Sequence, residues 1–322
     1  MKKNIILVGC GNIGSRHLQA LVKLPFPIDI HVIEKSEKSK KLAKLRLNEI
    51  KFNQNNFQIF WYDSLNQLTH TSDLVIISTL SQGRVNLILS LLKKQNKKFL
   101  IEKPVCQSKK EYENLLNQMK LFKAIGWVNT NRRYFESYKK LKRNIHNSKF
   151  ININVVSKAS GLGTNAIHFL DLFSWFTNDS KIKLNGEFLI PKLFSNKRGK
   201  EFNEFYGTIT GSGKNDSSIT LTFLPSNTES IFVTISTDIG NYVIDELNQS
   251  AFKIGKINKK FNFTYEHASQ LTTKIAKDIL EKNTSFLPKL DESYVHHIEL
   301  FRVFNSHIKK QLKRQVSLCP IT

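Results

Sequence analysis

Ile5-Ile6-Leu7-Val8-Gly9-Cys10-Gly11-Asn12-Ile13-Gly14-Ser15-Arg16-His17 is the stretch that decides how this chain folds. Four apolar residues predict a buried strand, and Gly-x-Gly-x-x-Gly follows at once. A helical pattern then runs through Leu18, Leu21 and Val22 to a stop at Pro25 and Pro27. In such a turn Gly9 permits the tight bend, Gly11 lets backbone approach a pyrophosphate, and Gly14 lets the helix sit close on the strand. The helix N-terminus, opening at Asn12 and Ile13, offers free N–H groups and partial positive charge to that pyrophosphate. A glycine triplet alone is weak evidence, so its context matters.

The context is a strand-helix alternation. Ile28 to Ile33 predicts a second strand, and it ends at Glu34, twenty residues after Gly14. An acidic side chain there can accept hydrogen bonds from both ribose hydroxyls of an adenosine; a solvated charge at a strand end is the alternative. Helix spacing covers Ser36 to Ile50, Phe57 to Trp61 predicts a strand, and Ser64 to Leu68 a short helix. Leu74-Val75-Ile76-Ile77 is a continuous apolar run, expected of a parallel strand covered on both faces. It opens into Ser78-Thr79, which places Thr79 among the expected cofactor contacts. A helix through Val85 to Leu92, a strand at Phe99 to Ile101, a helix from Ser108 to Phe122 and a strand at Ala124 to Val128 complete the pattern. It predicts an α/β fold with a doubly wound parallel sheet.

Beyond Asn129 the pattern changes. A basic helix (Tyr134 to Ile145) leads into a strand at Phe150 to Ser157, and a helix spans Gly161 to Phe176. Five strands follow between Ile182 and Asp245, separated by Gly, Ser and Asn turns. Two helices, near His267 to Glu281 and Asp291 to Leu312, close the chain. The expectation is an N-terminal Rossmann domain over 1–127 and, over 128–322, an α+β domain with a large, mainly antiparallel open sheet.

The 322 residues suit about two domains. No run reaches the ~18 apolar residues of a membrane span. Met1-Lys2-Lys3 before Leu7 to Cys10 mimics a lipoprotein signal, but Ile5 to Val8 falls short of the ~7–15 apolar residues such a signal needs. Cys10, Cys106 and Cys319 show neither paired nor zinc-like spacing and suit a reducing cytoplasm. The net charge of +23 would suit nucleic acid, an anionic surface or phosphorylated substrates. The lysines are dispersed in short clusters with no nucleic-acid module, so neither a specific nucleic acid nor a membrane is expected as partner.

Two stretches can do chemistry. Glu102-Lys103-Pro104 ends the fifth strand, on the edge where a nucleotide would lie. Proline biases Lys103 to extended backbone and admits a cis bond. A lysine there can hydrogen-bond a substrate hydroxyl and exchange its proton; a surface lysine is the alternative. Glu102 is counted with it at the cofactor edge. The Gly161–Phe176 helix is apolar nearly all round, which predicts burial. Thr164, His168, Asp171 and Ser174 form one polar stripe on it, with Asn165 alongside. His168 can accept a hydroxyl proton, and Asp171 can orient it or bind a sugar hydroxyl; an internal His/Asp pair is the alternative. No third ligand accompanies them, so no metal is expected. In Asn129-Thr130-Asn131-Arg132-Arg133, Asn131 can contact nicotinamide and Arg132 or Arg133 a substrate phosphate; a solvated helix start is the alternative.

The glycine turn with Glu34, Glu102-Lys103-Pro104 and His168-x-x-Asp171, in this order, together with Gly126-Trp127-Val128-Asn129-Thr130-Asn131-Arg132, resemble the Gfo/Idh/MocA oxidoreductases. The resemblance spans essentially the whole chain, including Leu287-Pro288. It implies hydride exchange between NAD or NADP and a sugar, cyclitol or sugar nucleotide, and a substrate domain whose sheet builds homodimers or homotetramers. Lys103 matches the family's catalytic lysine and His168 its histidine. The family often carries aspartate four residues before that histidine and glycine two before it, where this chain has Thr164 and Ala166. A Lys–Asp–His relay is therefore not carried over whole. Either Lys103 and His168 act without it, or Asn165 and Asp171 supply a variant. Glu34 would repel the 2′-phosphate of NADP, so NAD is expected, while Lys35, Ser36 and Lys38 keep NADP open. A dinucleotide-binding regulatory protein without catalysis is the alternative function.

Overall fold

The structure is a computed structural model that describes residues 2–50, 56–158 and 160–322. Six strands form the first sheet: β1 (Lys3–Val8), β2 (Ile28–Ile33), β3 (Phe57–Tyr62), β4 (Leu74–Ile77), β5 (Lys98–Ile101) and β6 (Ile125–Val128). Their order is β3-β2-β1-β4-β5-β6, with every neighbouring pair parallel. The strand order reverses direction between β1 and β4, and ligands of such sheets bind in the crevice at that switch point. Helices α1 (Asn12–Leu21), α2 (Glu37–Asn48), α3 (Arg84–Lys93) and α4 (Lys109–Leu121) connect the strands. The apolar runs are apolar because they are covered on both faces: Ile5 to Val8 and Leu74 to Ile77 are all buried. The short helix expected at Ser64 to Leu68 is a single 3-10 turn, Leu65–Gln67.

The second sheet has eight strands. Its members are β7 (Ile151–Ser157), β8 (Lys183–Leu189), β11 (Gly207–Ser212), β12 (Ser218–Phe223), β13 (Ile231–Thr237), β14 (Gly240–Asp245), β15 (Ser250–Ile254) and β16 (Lys259–Asn262); β9 (Phe194–Asn196) and β10 (Gly199–Glu204) pair separately. The order is β16-β15-β14-β13-β7-β12-β11-β8, antiparallel except at β7–β12. Alternation gives one buried face, with Ile153, Val155, Leu221, Phe223, Val233 and Ile235 pointing inward. The opposite face carries a row Phe188, Thr208, Thr222, Val156, Phe232 across five strands, with Phe188 67% and Phe232 42% exposed. Helices α5 (Glu136–Ile145), α6 (Leu162–Thr177) and α8 (Leu290–Leu312) belong with this sheet. Of the elements above, β9, β10, β15 and β16 were not expected from sequence. Their lysines, asparagines and glutamates, as in Lys259-Lys260-Phe261-Asn262, hide the alternation because these strands are short or lie at an edge.

The chain divides into two compact units, one of residues 1–106, 110–131 and 266–290, the other of 107–109, 132–265 and 291–322. This differs from the contiguous division at 127/128. The chain returns to the first unit to place α7 (Ala268–Lys282), whose Leu271, Ile275, Ala276 and Ile279 are buried and whose Thr273 hydroxyl donates to the Ala20 carbonyl on α1 at 2.8 Å. Among the described residues no helix is long and apolar enough to cross a membrane. Of the signal-like start, Met1 lies outside the described residues, and Lys3 to Val8 form β1.

Candidate functional site

In the first unit, Gly9 adopts φ +82°, a left-handed conformation that L side chains rarely take. A methyl group at Gly14 would lie 2.0 Å from the Gly9 carbonyl oxygen, so α1 sits on the turn only because no side chain intervenes. At Gly11 the same methyl would meet nothing within 4 Å. The turn therefore has an open backbone edge at its middle glycine, a cradle that suits the pyrophosphate of a dinucleotide. Asn12 and Ile13 open α1 there. The Ser78 hydroxyl, at the end of β4, donates to the Gly9 carbonyl at 2.6 Å and fixes the turn to its neighbouring strand.

Glu34 sits half-buried at the end of β2. One carboxylate oxygen accepts from the Cys10 amide at 2.7 Å and the other from the Ser36 amide at 2.9 Å. Burial and the Glu34 charge push the Cys10 thiol up to about 12, which keeps it protonated and unreactive. Arg46, which the sequence did not single out, reaches back from α2 to the Asn12 carbonyl and, at 2.6 Å, to the Ser15 hydroxyl.

The strand-end turn Glu102-Lys103-Pro104 contains a cis Lys103–Pro104 peptide, and both Glu102 and Lys103 are buried. Glu102 Oε1 accepts from Asn129 and meets His17 Nε2 at 3.1 Å, while His17 Nδ1 meets the Thr272 hydroxyl at 2.8 Å. Burial opposes the Glu102 charge, but the hydrogen bond and charge of His17, together with Lys103 and Asn129, hold its carboxyl down at about 2. Glu102 is thus a fixed carboxylate, held by His17 and Asn129. Arg84, 2% exposed, donates to the carbonyls of Thr79, Glu102 and Pro104 and ties the ends of β4 and β5 together. Sequence reasoning missed Arg84 because a basic residue at a helix start carries no sign that it turns inward. Asn131 stands half-buried at the start of the 3-10 turn Asn131–Tyr134.

In the second unit the polar stripe of α6 is largely spoken for. Asp171, fully buried, accepts from Arg133 Nε at 2.9 Å and Nη2 at 2.6 Å, a bidentate pair. A third guanidinium nitrogen of Arg133 faces Glu292 at 3.5 Å. Asp171 is thus anchored in an ion pair with a buried guanidinium. Arg132 is held likewise: Nε and Nη2 donate to Glu246 at 2.9 and 2.7 Å, and the guanidinium lies 4.0 Å from the centre of the Phe169 ring. Tyr138 adds a hydrogen bond to the same carboxylate at 2.6 Å. The Nε–Nη2 fork of Arg132 is thus turned to Glu246.

Thr164 donates its hydroxyl to Glu204 Oε2 at 2.5 Å, while the amides of Gly163, Thr164 and Phe205 converge on Oε1 at 2.6, 3.3 and 3.0 Å. Glu204 thus closes the N-terminus of α6 from β10, satisfying donors that a helix start leaves open. Burial raises its pKa despite these bonds. The half-buried Thr164 thus spends its hydroxyl donor on Glu204. No periodicity links Glu204 to a helix some forty residues earlier, so only the fold reveals it. Asn165 donates to the Ser160 hydroxyl, and His168 is 9% exposed on the same helix. Among the described residues no group of three or more His, Cys, Asp or Glu side chains could hold a metal ion.

Residues 3–130 match the family model described as "Oxidoreductase family, NAD-binding Rossmann fold". No protein of curated function matches the chain by sequence. Among solved structures, the UDP-N-acetylglucosamine 3-dehydrogenase of Acidithiobacillus ferrooxidans superposes with a TM-score of 0.71 at 13% identity, covering 94% of this chain and 97% of its own. An Agrobacterium radiobacter oxidoreductase in complex with NAD+, L-tartaric acid and magnesium gives 0.71 at 13% identity, covering 98% of each chain. The biliverdin reductase of Synechocystis, in complex with biliverdin and NADP+, gives 0.68 at 11% identity, covering 93% and 97%. At such identities these likenesses show the fold.

Proposed function

We propose, from the match of residues 3–130 to the Gfo/Idh/MocA family model with its NAD-binding Rossmann fold, that the chain transfers hydride between a nicotinamide and a hydroxyl-bearing carbon of a sugar, cyclitol or sugar nucleotide. The observation that carries the reading is Lys103: a buried lysine at the carboxyl end of β5, beside a Glu102 carboxylate that His17 and Asn129 hold charged. NAD, when bound, supplies the hydride acceptor. Lys103 hydrogen-bonds the substrate oxygen and exchanges its proton, and Glu102 keeps the lysine in place. His168 is the second acid/base group, with Asn165 as a substrate contact. Asp171 positions Arg133 and performs no proton transfer. Gly9, Gly11 and Gly14, with Asn12 and Ile13, receive the pyrophosphate, while Thr79 and Asn131 flank the nicotinamide half. A carboxylate has about four acceptor sites, so Glu34 retains capacity for ribose hydroxyls after binding Cys10 and Ser36. Its charge favours NAD over NADP.

The sugar-nucleotide class is supported by the dehydrogenase among the structural neighbours, while the biliverdin reductase shows that this fold also serves a different substrate. The test is turnover on UDP-, GDP- and CMP-linked sugars and cyclitols with both nicotinamides, followed at the reduced-nicotinamide absorbance. Hydride transfer to at least one, lowered about 10²–10⁴-fold in Lys103→Ala with dinucleotide binding retained, supports the reading. Dinucleotide binding without turnover on any of them overturns it.

A second reading, a dinucleotide-binding regulator without chemistry, is favoured by one observation: Thr164 and Asp171 are engaged by Glu204 and Arg133. In that case Lys103→Ala and His168→Ala leave biological activity unchanged. The uncovered face of the eight-stranded sheet suits a homodimer or homotetramer, and three buried free cysteines suit a reducing cytoplasm.

A further inference from the structure

The second unit contains a cavity of about 800 Å³ between β8, its neighbour β11 and the last turns of α8. That volume falls in the range of about 300–1,000 Å³ typical of small-molecule sites. None of its lining residues takes part in the glycine turn, the Glu102–Pro104 turn or the α6 stripe. A β-bulge shapes it. Thr208 faces Phe188 while Thr210 faces Asn185, so Gly186 and Glu187 together oppose the single residue Ile209 and β8 bows away from β11. The close approach of α8 also depends on Gly186, where a methyl group would stand 2.4 Å from Val303.

The charges on the walls are unequal. Lys183 on β8 and Lys310 on α8 both line the cavity, with Lys183 on the side of Glu299. Arg302 is already committed, bridging Glu299 at 2.7 Å and the Leu184 carbonyl, while Glu299 accepts the Leu184 amide at 2.9 Å. Glu187 is the one acidic side chain in the lining. Asn185, Thr210 and Ser306 contribute hydroxyl and amide groups. His307, 7% exposed, has a buried Nε2 with no hydrogen-bond partner. Burial pushes its pKa down, with the Lys310 charge adding to it, against main-chain hydrogen bonds at Lys192 and Ile190.

We propose that this cavity binds a small phosphorylated polyol or sugar, with the phosphate drawn by Lys183 and Lys310 and the hydroxyls against Asn185, Thr210 and Ser306. Ammonium groups fit a compact anion as point charges. The polar walls fit a hydroxylated body, and Leu184, Leu189 and Val303 leave a narrow apolar floor.

The test is calorimetric titration of the full chain with glycerol 3-phosphate, glucose 6-phosphate and inorganic phosphate, alongside glycerol and glucose. Each is repeated in saturating NAD. The proposal expects saturable one-to-one binding of a phosphorylated probe that persists with NAD present and weakens with salt. The unphosphorylated parent should bind at least about tenfold more weakly, and Lys183→Gln/Lys310→Gln should cost about tenfold or more with the melting temperature unchanged. Absence of saturation to about 10 mM, a range weaker than metabolite binding, overturns it. So does equal binding in the double variant, or loss of the probe when NAD is added, which would put the anion at the glycine turn. The lysine comparison needs no turnover, so it stands apart from failure of the dehydrogenase reading.

Discussion

Gly14 and Gly11 separate two demands that one motif combines. Gly14→Ala places a methyl 2.0 Å from a carbonyl oxygen, so a loss of about 3 kcal/mol or more is expected on denaturant unfolding. Gly11→Ala meets nothing within 4 Å, so its stability should hold while dinucleotide affinity falls, read by fluorescence titration of NADH. Glu102 gives a pH signature. Its folded pKa lies near 2 against an ordinary 4.5. Its contribution is therefore full above about pH 4.5 and is lost as pH falls toward 2, to at most about 3 kcal/mol. Melting temperature measured across that range should fall less steeply in Glu102→Gln. Asp171→Asn strips a buried guanidinium of its partner, and a loss of about 3–5 kcal/mol is expected. An unchanged melting temperature with abolished turnover would instead return Asp171 to a catalytic role. At this scale the glycines, Glu34 and Lys103 were legible because a short motif carries them. Glu204, Glu246 and Arg84 were not, because their partners lie 40, 114 and 18 to 20 residues away.

Elements carry their own titration. In β2 and its neighbour β3, His31 stacks on Phe60 with ring centres 5.0 Å apart, lies 4.0 Å from the His70 ring, and bonds Tyr62 at 3.2 Å. Burial, then His70, push the His31 pKa down from 6.5 to about 4, against a raising effect of Asp29 and a lowering one of Lys2. The folded state resists this proton, so stability is full above pH 6.5 and is lost as pH falls toward 4. His31→Phe keeps a ring on Phe60 and should flatten the unfolding free energy between those values. The helices were read correctly from their apolar spacing, α6 included. What spacing withheld was the use of its polar side, which the helix start shares with β10 and the middle shares with Arg133.

For the molecule as a whole, the open face of the second sheet sets the expectation. Phe188 and Phe232 close a row of threonines and valine that bears no charge. Light scattering after size exclusion should give a multiple of 37.2 kDa, and Phe232→Lys should shift it toward the single-chain mass. A charge introduced at a buried apolar interface costs several kcal/mol when unpaired. A single-chain mass for the unaltered protein would rule this face out as the interface.

The sequence by itself determined the parallel sheet, the mainly antiparallel partner sheet, the glycine turn and the lysine at a strand end. Hydrophobic period and short motifs are local, and they survive without knowledge of the fold. Only the tertiary structure decided that α7 returns to the nucleotide-binding unit, that Arg132 and Arg133 face inward, and which carboxylates they meet. Buried ion pairs and remote helix caps join residues with no fixed spacing in the chain. The turn at Gly9 to Gly14 was written in its own residues, whereas its fixation by Ser78, Glu34 and Arg46 exists only once β2, β4 and α2 stand around it.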